Sequence, residues 1–288
     1  MAKSKVGGSR AYIRGRIGAD VYSVGKDGKG SRQQVVRSLA EQVSNPRTES
    51  QMFGRMIMST TMQAVSTFKS IIDHSFDGLS SGQPSISEFI RLNYALIKAD
   101  AVAHPASGNK FGLVKYQEKG AKLGEYKMSK GTAVVPSAVT ISARTLTIAL
   151  TADTMTVGGL KSALGLTAEG YITAMVFGES AGFVFIRIQV STSLADSTAI
   201  SAENVASIFA ISGNKSVTPS VYQNNINFEI SDSDNNYAEG LIVSDKVDGS
   251  WIHSECTLSL TGDASYVSDT ALPTYPVGAA QFLNGGDL

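Results

Sequence analysis

Side chains that commonly bind metals or act as nucleophiles are few in this chain. Three histidines (His74, His104 and His253) and one cysteine (Cys256) are scattered through 288 residues. His253 and Cys256 are the closest such pair, but three steps along a strand place two residues on opposite faces. No Ser-His-Asp or Cys-His order stands out either. We therefore expect no metal site, no cofactor and no catalytic residues, and we predict that the protein is not an enzyme.

The run Asp232-Ser233-Asp234-Asn235-Asn236 has the composition of a calcium-binding loop. An EF-hand also needs a glycine at its sixth position and a glutamate at its twelfth, and here the twelfth position is Val243. The sequence thus excludes an EF-hand. A looser calcium site near Asp232 and Asp234 stays open as an alternative to the solvated turn that we expect.

The residues best suited to a partner form a basic segment at the N-terminus. The first 37 residues contain nine Lys and Arg but only two acidic side chains, Asp20 and Asp27. Two tyrosines lie among these cations, an arrangement in which aromatic rings can stack on bases while the cations contact phosphates. The predicted partner residues are Arg10, Tyr12, Arg14, Arg16, Tyr22, Lys26, Lys29, Arg32 and Arg37.

Charge is also divided between the two parts of the chain. Residues 1–130 contain 20 Lys and Arg against 10 Asp and Glu, whereas residues 131–288 contain 5 against 15. Such asymmetry indicates either a nucleic-acid partner or a neighbour of opposite sign. Because opposite charges lie on one chain, copies can bind head to tail. We predict docking on protein, first of all on a second copy, with nucleic acid as the alternative partner.

Composition limits the class of protein further. Hydrophobic residues make up 42% of the chain, which is enough to bury a core, and a lone cysteine excludes an internal disulfide. The first eight residues lack the apolar segment of a secretory signal, and no run of 18 apolar residues exists. These features predict a protein made in the cytosol that does not enter a membrane.

Sequence patterns in the first half of the chain predict an extended arm followed by two helices. Residues 1–47 are rich in glycine and predict an extended basic arm, with one marginal hairpin at most. Thr48 and Gln51 form a capping-box pattern at the start of a helix over 49–72, and Ser85 with Glu88 repeats it for a helix ending near Ala99. We therefore predict a helical hairpin over residues 48–100. Its first helix is expected to contact another subunit through Met52, Phe53, Met56 and Met62.

The second half changes to short alternating patterns. A basic linker is predicted over 101–131, a β-domain over 132–272 and an irregular tail over 273–288. Strand patterns break near Arg144, flank a five-residue loop at 178–182 and flank a turn at Asp248-Gly249. We predict an α+β fold whose C-terminal part is an antiparallel, immunoglobulin-like β-sandwich with its acidic groups on the solvent side.

A series of short motifs gives the chain a resemblance. It consists of Gly8-Ser9-Arg10-Ala11-Tyr12-Ile13-Arg14-Gly15-Arg16-Ile17-Gly18, Val21-Tyr22-Ser23, the segment 28–32, and Asn45-Pro46-Arg47-Thr48-Glu49-Ser50-Gln51 followed by a helix. The series resembles an uncharacterised family that is common in phages and prophages of gut Bacteroidota, often with an immunoglobulin-like C-terminal domain. The resemblance covers about residues 8–72. The β-region resembles the family only in its general character and not in specific motifs.

This resemblance implies a phage-encoded component of the virion and brings no catalytic residues with it. We therefore predict a non-enzymatic structural protein of a phage particle, associated with the tail or the capsid. Many copies would assemble through the basic arm, in contact with one another and with other virion proteins, in the virion and during its assembly in the host cytoplasm. Two alternatives are a nucleic-acid-binding packaging protein and a glycan-binding surface adhesin. In the adhesin, Trp251 and Tyr222 are expected on exposed strands or loops.

Overall fold

The computed structural model describes residues 3–7, 10–17, 20–26, 32–38, 49–103, 123–151, 156–178, 181–191, 193–230 and 234–262. Within these ranges the chain contains four helices and sixteen strands, and every strand pair in its sheets is antiparallel. This confirms the α+β class. The chain forms two compact units, Met1–Pro46 and Arg47–Leu288.

The first unit is a sheet. Its strands are β1 (Lys3–Gly7), β2 (Arg10–Ile17), β3 (Asp20–Lys26) and β4 (Arg32–Ser38), and they lie side by side in the order of the chain. The sequence predicted an extended arm with one hairpin at most, whereas the structure pairs all four strands. Valine, isoleucine and tyrosine between the glycines favour this strand structure.

Two long helices open the second unit. Helix α1 spans Glu49–Ile72, which are the predicted bounds, and α2 spans Gln83–Ala103. The predicted cap at Ser85 is wrong, because this residue lies inside the first turn of α2 and its hydroxyl donates to the carbonyl of Ser80 at 3.0 Å. Pro84 fits this turn because the first backbone N–H groups of a helix have no intrahelical acceptor.

The rest of the second unit is mostly strand. In chain order it contains β5 (Lys127–Ser129), β6 (Val139–Ser142), β7 (Thr145–Ala149), α3 (Val157–Leu164), β8 (Tyr171–Gly178), β9 (Gly182–Val190), α4 (Val205–Ile208), β10 (Phe209–Gly213), β11 (Ser220–Tyr222), β12 (Asn225–Glu229), β13 (Tyr237–Val247), β14 (Ser250–His253), β15 (Cys256–Thr257) and β16 (Ser259–Thr261). The larger sheet has the order β10-β9-β8-β13-β14, with β16 also paired to β13. The smaller sheet has the order β11-β12-β7-β6, and β5 pairs with β15. Within the described ranges, no helix has the length and apolarity needed to cross a membrane.

The larger sheet is buried on both faces. One face packs against α1 and α2 in a core that includes Phe68, Phe89, Met175, Phe177 and Ile242. The other face packs against the smaller sheet, α3 and α4 in a second core that includes Val139, Leu146, Leu160, Ile172, Ala174, Val176, Ile186 and Phe228. Because β8 sends successive side chains into alternate cores, its sequence is apolar on both faces, with Thr173 as the one buried polar residue of the strand, rather than alternating. The immunoglobulin-like sandwich is not confirmed, since helices form a third layer on one sheet.

Part of the predicted linker belongs to the first core. Leu123, Tyr126 and Met128 are fully buried there, and the ring of Phe68 lies 5.2 Å from that of Tyr126. Residues 104–122 of the predicted linker and the predicted tail at 273–288 lie outside the described residues. A segment rich in lysine can still supply core side chains, because apolar residues between the lysines point inward while the charged heads stay in water.

Three acidic side chains of the β-region are buried, contrary to the expectation that these groups face solvent. Each accepts hydrogen bonds from backbone N–H groups: Asp234 from Ala181, Glu239 from Arg144, and Asp245 from Thr167 and Lys246. Buried carboxylates of this kind stabilise loops because each bond to a charged acceptor contributes about 1.5–3 kcal/mol. They are structural groups and are not free to bind a partner.

Candidate functional site: the N-terminal sheet

The pairing of β1 to β4 places each predicted partner residue on one of two faces. Lys3 is opposite Arg14 and Lys5 is opposite Tyr12. Arg16 is opposite Val21, which in turn is opposite Arg37. Since paired residues share a face and successive residues alternate, this register assigns every described residue of the sheet to a face.

One face, which we call the cationic face, collects the positive charge. Its residues are Lys3, Lys5, Gly7, Arg10, Tyr12, Arg14, Arg16, Val21, Ser23, Gly25, Gln33, Val35 and Arg37. Six of these are Lys or Arg, and among the described strands this face holds no Asp or Glu. Like charges on neighbouring strands repel one another, so this face gains free energy when anions neutralise it.

The opposite face, which we call the apolar face, has a different composition. Its residues are Ser4, Val6, Ala11, Ile13, Gly15, Ile17, Asp20, Tyr22, Val24, Lys26, Arg32, Gln34, Val36 and Ser38. Half of them are apolar or aromatic. A sheet that is apolar on one face normally packs that face against another layer. Among the described residues of this unit, only the four strands of the sheet itself are present.

The sheet therefore brings some predicted residues together and separates others. Arg10, Tyr12, Arg14, Arg16 and Arg37 share the cationic face. The other predicted residues on the sheet, Tyr22, Lys26 and Arg32, lie on the apolar face, and Lys29 lies outside the described residues. Two further members of the cationic face, Lys3 and Lys5, were not among the predicted partner residues. Their spacing of two along a strand was the signal that could have identified them.

Strand β4 forms one edge of this sheet and is open to solvent. Gln34, Val35, Val36, Arg37 and Ser38 are all exposed, with Val35 at 43% and Val36 at 51%. These adjacent valines lie on opposite faces, because Val35 is paired with Ser23 and Val36 with Tyr22. An exposed edge strand presents backbone groups that can pair with another chain.

The methionine-rich helix offers a second exposed apolar surface. Met62 is 43% exposed and Met58, one turn earlier, is 42% exposed, whereas Ile57 and Val65 are buried in the core. The side chains of the other predicted contact residues (Met52, Phe53 and Met56) lie outside the described residues. The described part of α1 thus packs one apolar stripe against the larger sheet and leaves Met58 and Met62 exposed to solvent.

Groups with nucleophilic or metal-binding chemistry are held in structural positions. Burial raises the pKa of the Cys256 thiol to about 12, so the reactive thiolate is disfavoured. His253 is also buried, and its Nδ1 lies 3.0 Å from the hydroxyl of Ser244. In the part of the chain that the structure describes, no three His, Cys, Asp or Glu side chains form a group that could bind a metal. Asp232 lies outside the described residues.

The two aromatic residues proposed for glycan binding lie on different sheets. Trp251 is on β14 of the larger sheet and is 39% exposed, and its ring packs against Tyr171 at 5.4 Å. Tyr222 is on β11 of the smaller sheet and is 65% exposed. Comparison of the chain with protein-family models, with curated proteins and with solved structures finds no match.

Proposed function

We propose that the protein is a non-enzymatic structural component of a phage particle, associated with the tail or capsid, and that it assembles in many copies through its N-terminal sheet. The observation that supports this proposal best is the amphipathic single-layer sheet. Four strands with one apolar face need a second layer to be stable in water. The phage-family resemblance of residues 8–72 supports the assignment to a virion.

We propose that a second copy of the same chain packs against the apolar face and forms this second layer. Residues 1–46 hold nine basic against three acidic side chains, and the remaining residues hold sixteen against twenty-two, giving formal charges of +6 and −6. Opposite net charges attract copies head to tail over long range, and the apolar face then supplies the short-range contact. Assembly would take place in the host cytoplasm, with other virion proteins as further partners. An immunoglobulin-like relationship of the β-region remains part of this proposal.

Adjacent valines on β4 provide a matched test. We expect Val36→Asn, on the apolar face, to weaken self-association of the full-length protein in sedimentation velocity at several concentrations. Val35→Asn is the control, because it makes the same change one residue away on the cationic face. A chain lacking residues 1–46 should sediment as a monomer. The same association state for the wild-type chain and this deletion at all concentrations and salt levels would refute the proposal.

A further inference from the structure

We propose that the cationic face of the N-terminal sheet binds single-stranded nucleic acid. This inference goes beyond self-assembly, because it concerns the opposite face of the sheet from the one proposed to contact a second copy. Its basis is the strand register, which gathers six basic residues without an acidic one on that face. On its edge strand, Arg37 is exposed to solvent.

The spacing of the cations suits an extended polyanion. Arg10, Tyr12, Arg14 and Arg16 follow one another at every second position of β2. Alternate residues of an extended strand are roughly 6.8 Å apart, and neighbouring strands are separated by about 4.8 Å. Lys3 and Lys5 on β1 therefore form a second row beside the first. A nucleic-acid strand, which carries one phosphate per nucleotide, can be neutralised along both rows.

The position of Tyr12 favours a single strand over a duplex. Tyr12 lies between Arg10 and Arg14 along β2 and is directly opposite Lys5 on β1. A base that stacks on an aromatic ring must present its flat face, and this face is available in a single strand but covered in a duplex. Basic residues around a central aromatic residue on a sheet are thus arranged for phosphates and an unstacked base at once.

Part of the acidic charge that the structure describes after residue 130 already has partners within the chain. Of the nine acidic residues that the structure describes after residue 130, five are already engaged within the chain. Asp234, Glu239 and Asp245 accept backbone hydrogen bonds in buried positions, and Asp196 and Glu169 pair with Lys161 and Lys246. The remaining four are Glu203, Glu229, Asp248 and Glu255.

The first test measures binding of the full-length protein to a fluorescent 20-nucleotide oligothymidine by anisotropy, with increasing KCl. If all six cations contact phosphates, a plot of log affinity against log salt has a slope of about −4. We expect the pair Arg14→Gln and Arg16→Gln to weaken binding roughly tenfold or more and to reduce this slope by about 1.4. The matched control is Lys26→Gln with Arg32→Gln, which removes equal charge from the apolar face and should leave binding unchanged.

The second test separates stacking from charge. Tyr12→Leu should weaken binding of the oligothymidine roughly 5- to 150-fold, whereas Tyr22→Leu, on the apolar face, should not. A 20-base-pair duplex should compete poorly. Photo-crosslinking of the wild-type protein to the oligothymidine, mapped by mass spectrometry, should label the Tyr12 peptide and requires no variant to fold.

Three results would overturn the inference: no binding at 50 mM KCl, equal losses from the Arg14 and Arg16 variant and from its Lys26 and Arg32 control, or a duplex bound as tightly as the single strand. Each of these can occur while Val36→Asn still weakens self-association. Failure of nucleic-acid binding is therefore distinguishable from failure of the proposed assembly.

Discussion

The carboxylate of Asp77 accepts a hydrogen bond from the backbone N–H of His253, with 2.6 Å between Oδ1 and N, across 176 residues of sequence. Its Oδ2 accepts from both the N–H (2.9 Å) and the hydroxyl (3.1 Å) of Thr132. The adjacent residue Phe76 forms a bridge with Lys130. One side chain in the α1–α2 loop thus ties the helical hairpin to two distant segments of the β-region.

We expect Asp77→Asn to lower the free energy of unfolding by about 2–4 kcal/mol, because an amide cannot accept these bonds at both of its polar atoms. Urea denaturation followed by circular dichroism measures this change. Asp73→Asn is the control. Asp73 pairs with Lys69 on the surface, and loss of such a pair costs less than about 1 kcal/mol. Its Oδ1 also accepts a 3.3 Å bond from the backbone N–H of Gly82, which the amide oxygen of asparagine can still accept. Equal effects of the two variants would contradict the assigned role of Asp77.

The partner of Asp77 gives the protein a pH dependence. Burial lowers the pKa of the His253 imidazole below 6.5, while Asp77 raises it and His74 lowers it by smaller amounts. The unfolded chain therefore binds a proton more readily than the folded chain does. Stability from this group is complete above about pH 6.5 and is lost as the pH falls through the folded-state pKa.

We therefore expect the free energy of unfolding of the wild-type protein to decrease between pH 7.5 and pH 5, and the decrease to be smaller in His253→Gln. Urea titrations at several pH values measure both slopes. The carboxyls of Asp73 and Glu88 do not contribute to the change between pH 7.5 and pH 5. Hydrogen bonds from Lys69 and Arg91 lower their pKa values below 3.8 and 4.5, respectively. Their contribution is therefore lost only at more acidic pH. Parallel slopes for the two proteins would exclude His253 as the titrating group.

Sequence patterns predicted the local elements well. The apolar stripe predicted the observed bounds of α1, and Thr48 of the predicted cap lies outside the described residues. The break near Arg144 is a turn in which Ala143 and Arg144 have φ of 48° and 65°. A turn of this kind joins β6 and β7 into a hairpin. These features depend on neighbouring residues, so they can be read from a short window of sequence.

Long-range pairing could not be predicted in the same way. The continuous apolar run of β8 is compatible with burial on one face or on two, and only the docking of α1 and α2 decides between them. Composition likewise identified the basic residues of the N-terminal segment but not their faces. A shift of one residue in strand register would exchange the two faces, and the sequence does not fix that register.

Two glycines should respond to alanine in opposite directions. At Gly240 on β13, a Cβ would lie 2.6 Å from a methyl carbon of Leu258 and 2.9 Å from the sulfur of Cys256, so Gly240→Ala should destabilise the protein by about 1–3 kcal/mol. At Gly54 in α1, a Cβ would meet no atom within 4 Å. Gly54→Ala should therefore stabilise the helix by about 0.5–1 kcal/mol. Thermal denaturation of both variants measures the signs. Stabilisation by Gly240→Ala would contradict the packing at Gly240, and destabilisation by Gly54→Ala would contradict the open space at Gly54.

The exposed methionines of α1 lead to a prediction about assembly rather than folding. Met58 and Met62 lie one turn apart and are each more than 40% exposed, so the double variant Met58→Gln with Met62→Gln should change the free energy of unfolding by less than about 1 kcal/mol. If this pair contacts another subunit, the same variant should weaken self-association in sedimentation velocity. Leu79→Gln is the control, because Leu79 is 42% exposed but lies in the α1–α2 loop. Unchanged association of the double variant would remove α1 from the subunit interface and leave the N-terminal sheet as its remaining candidate, because the two surfaces are tested by separate substitutions.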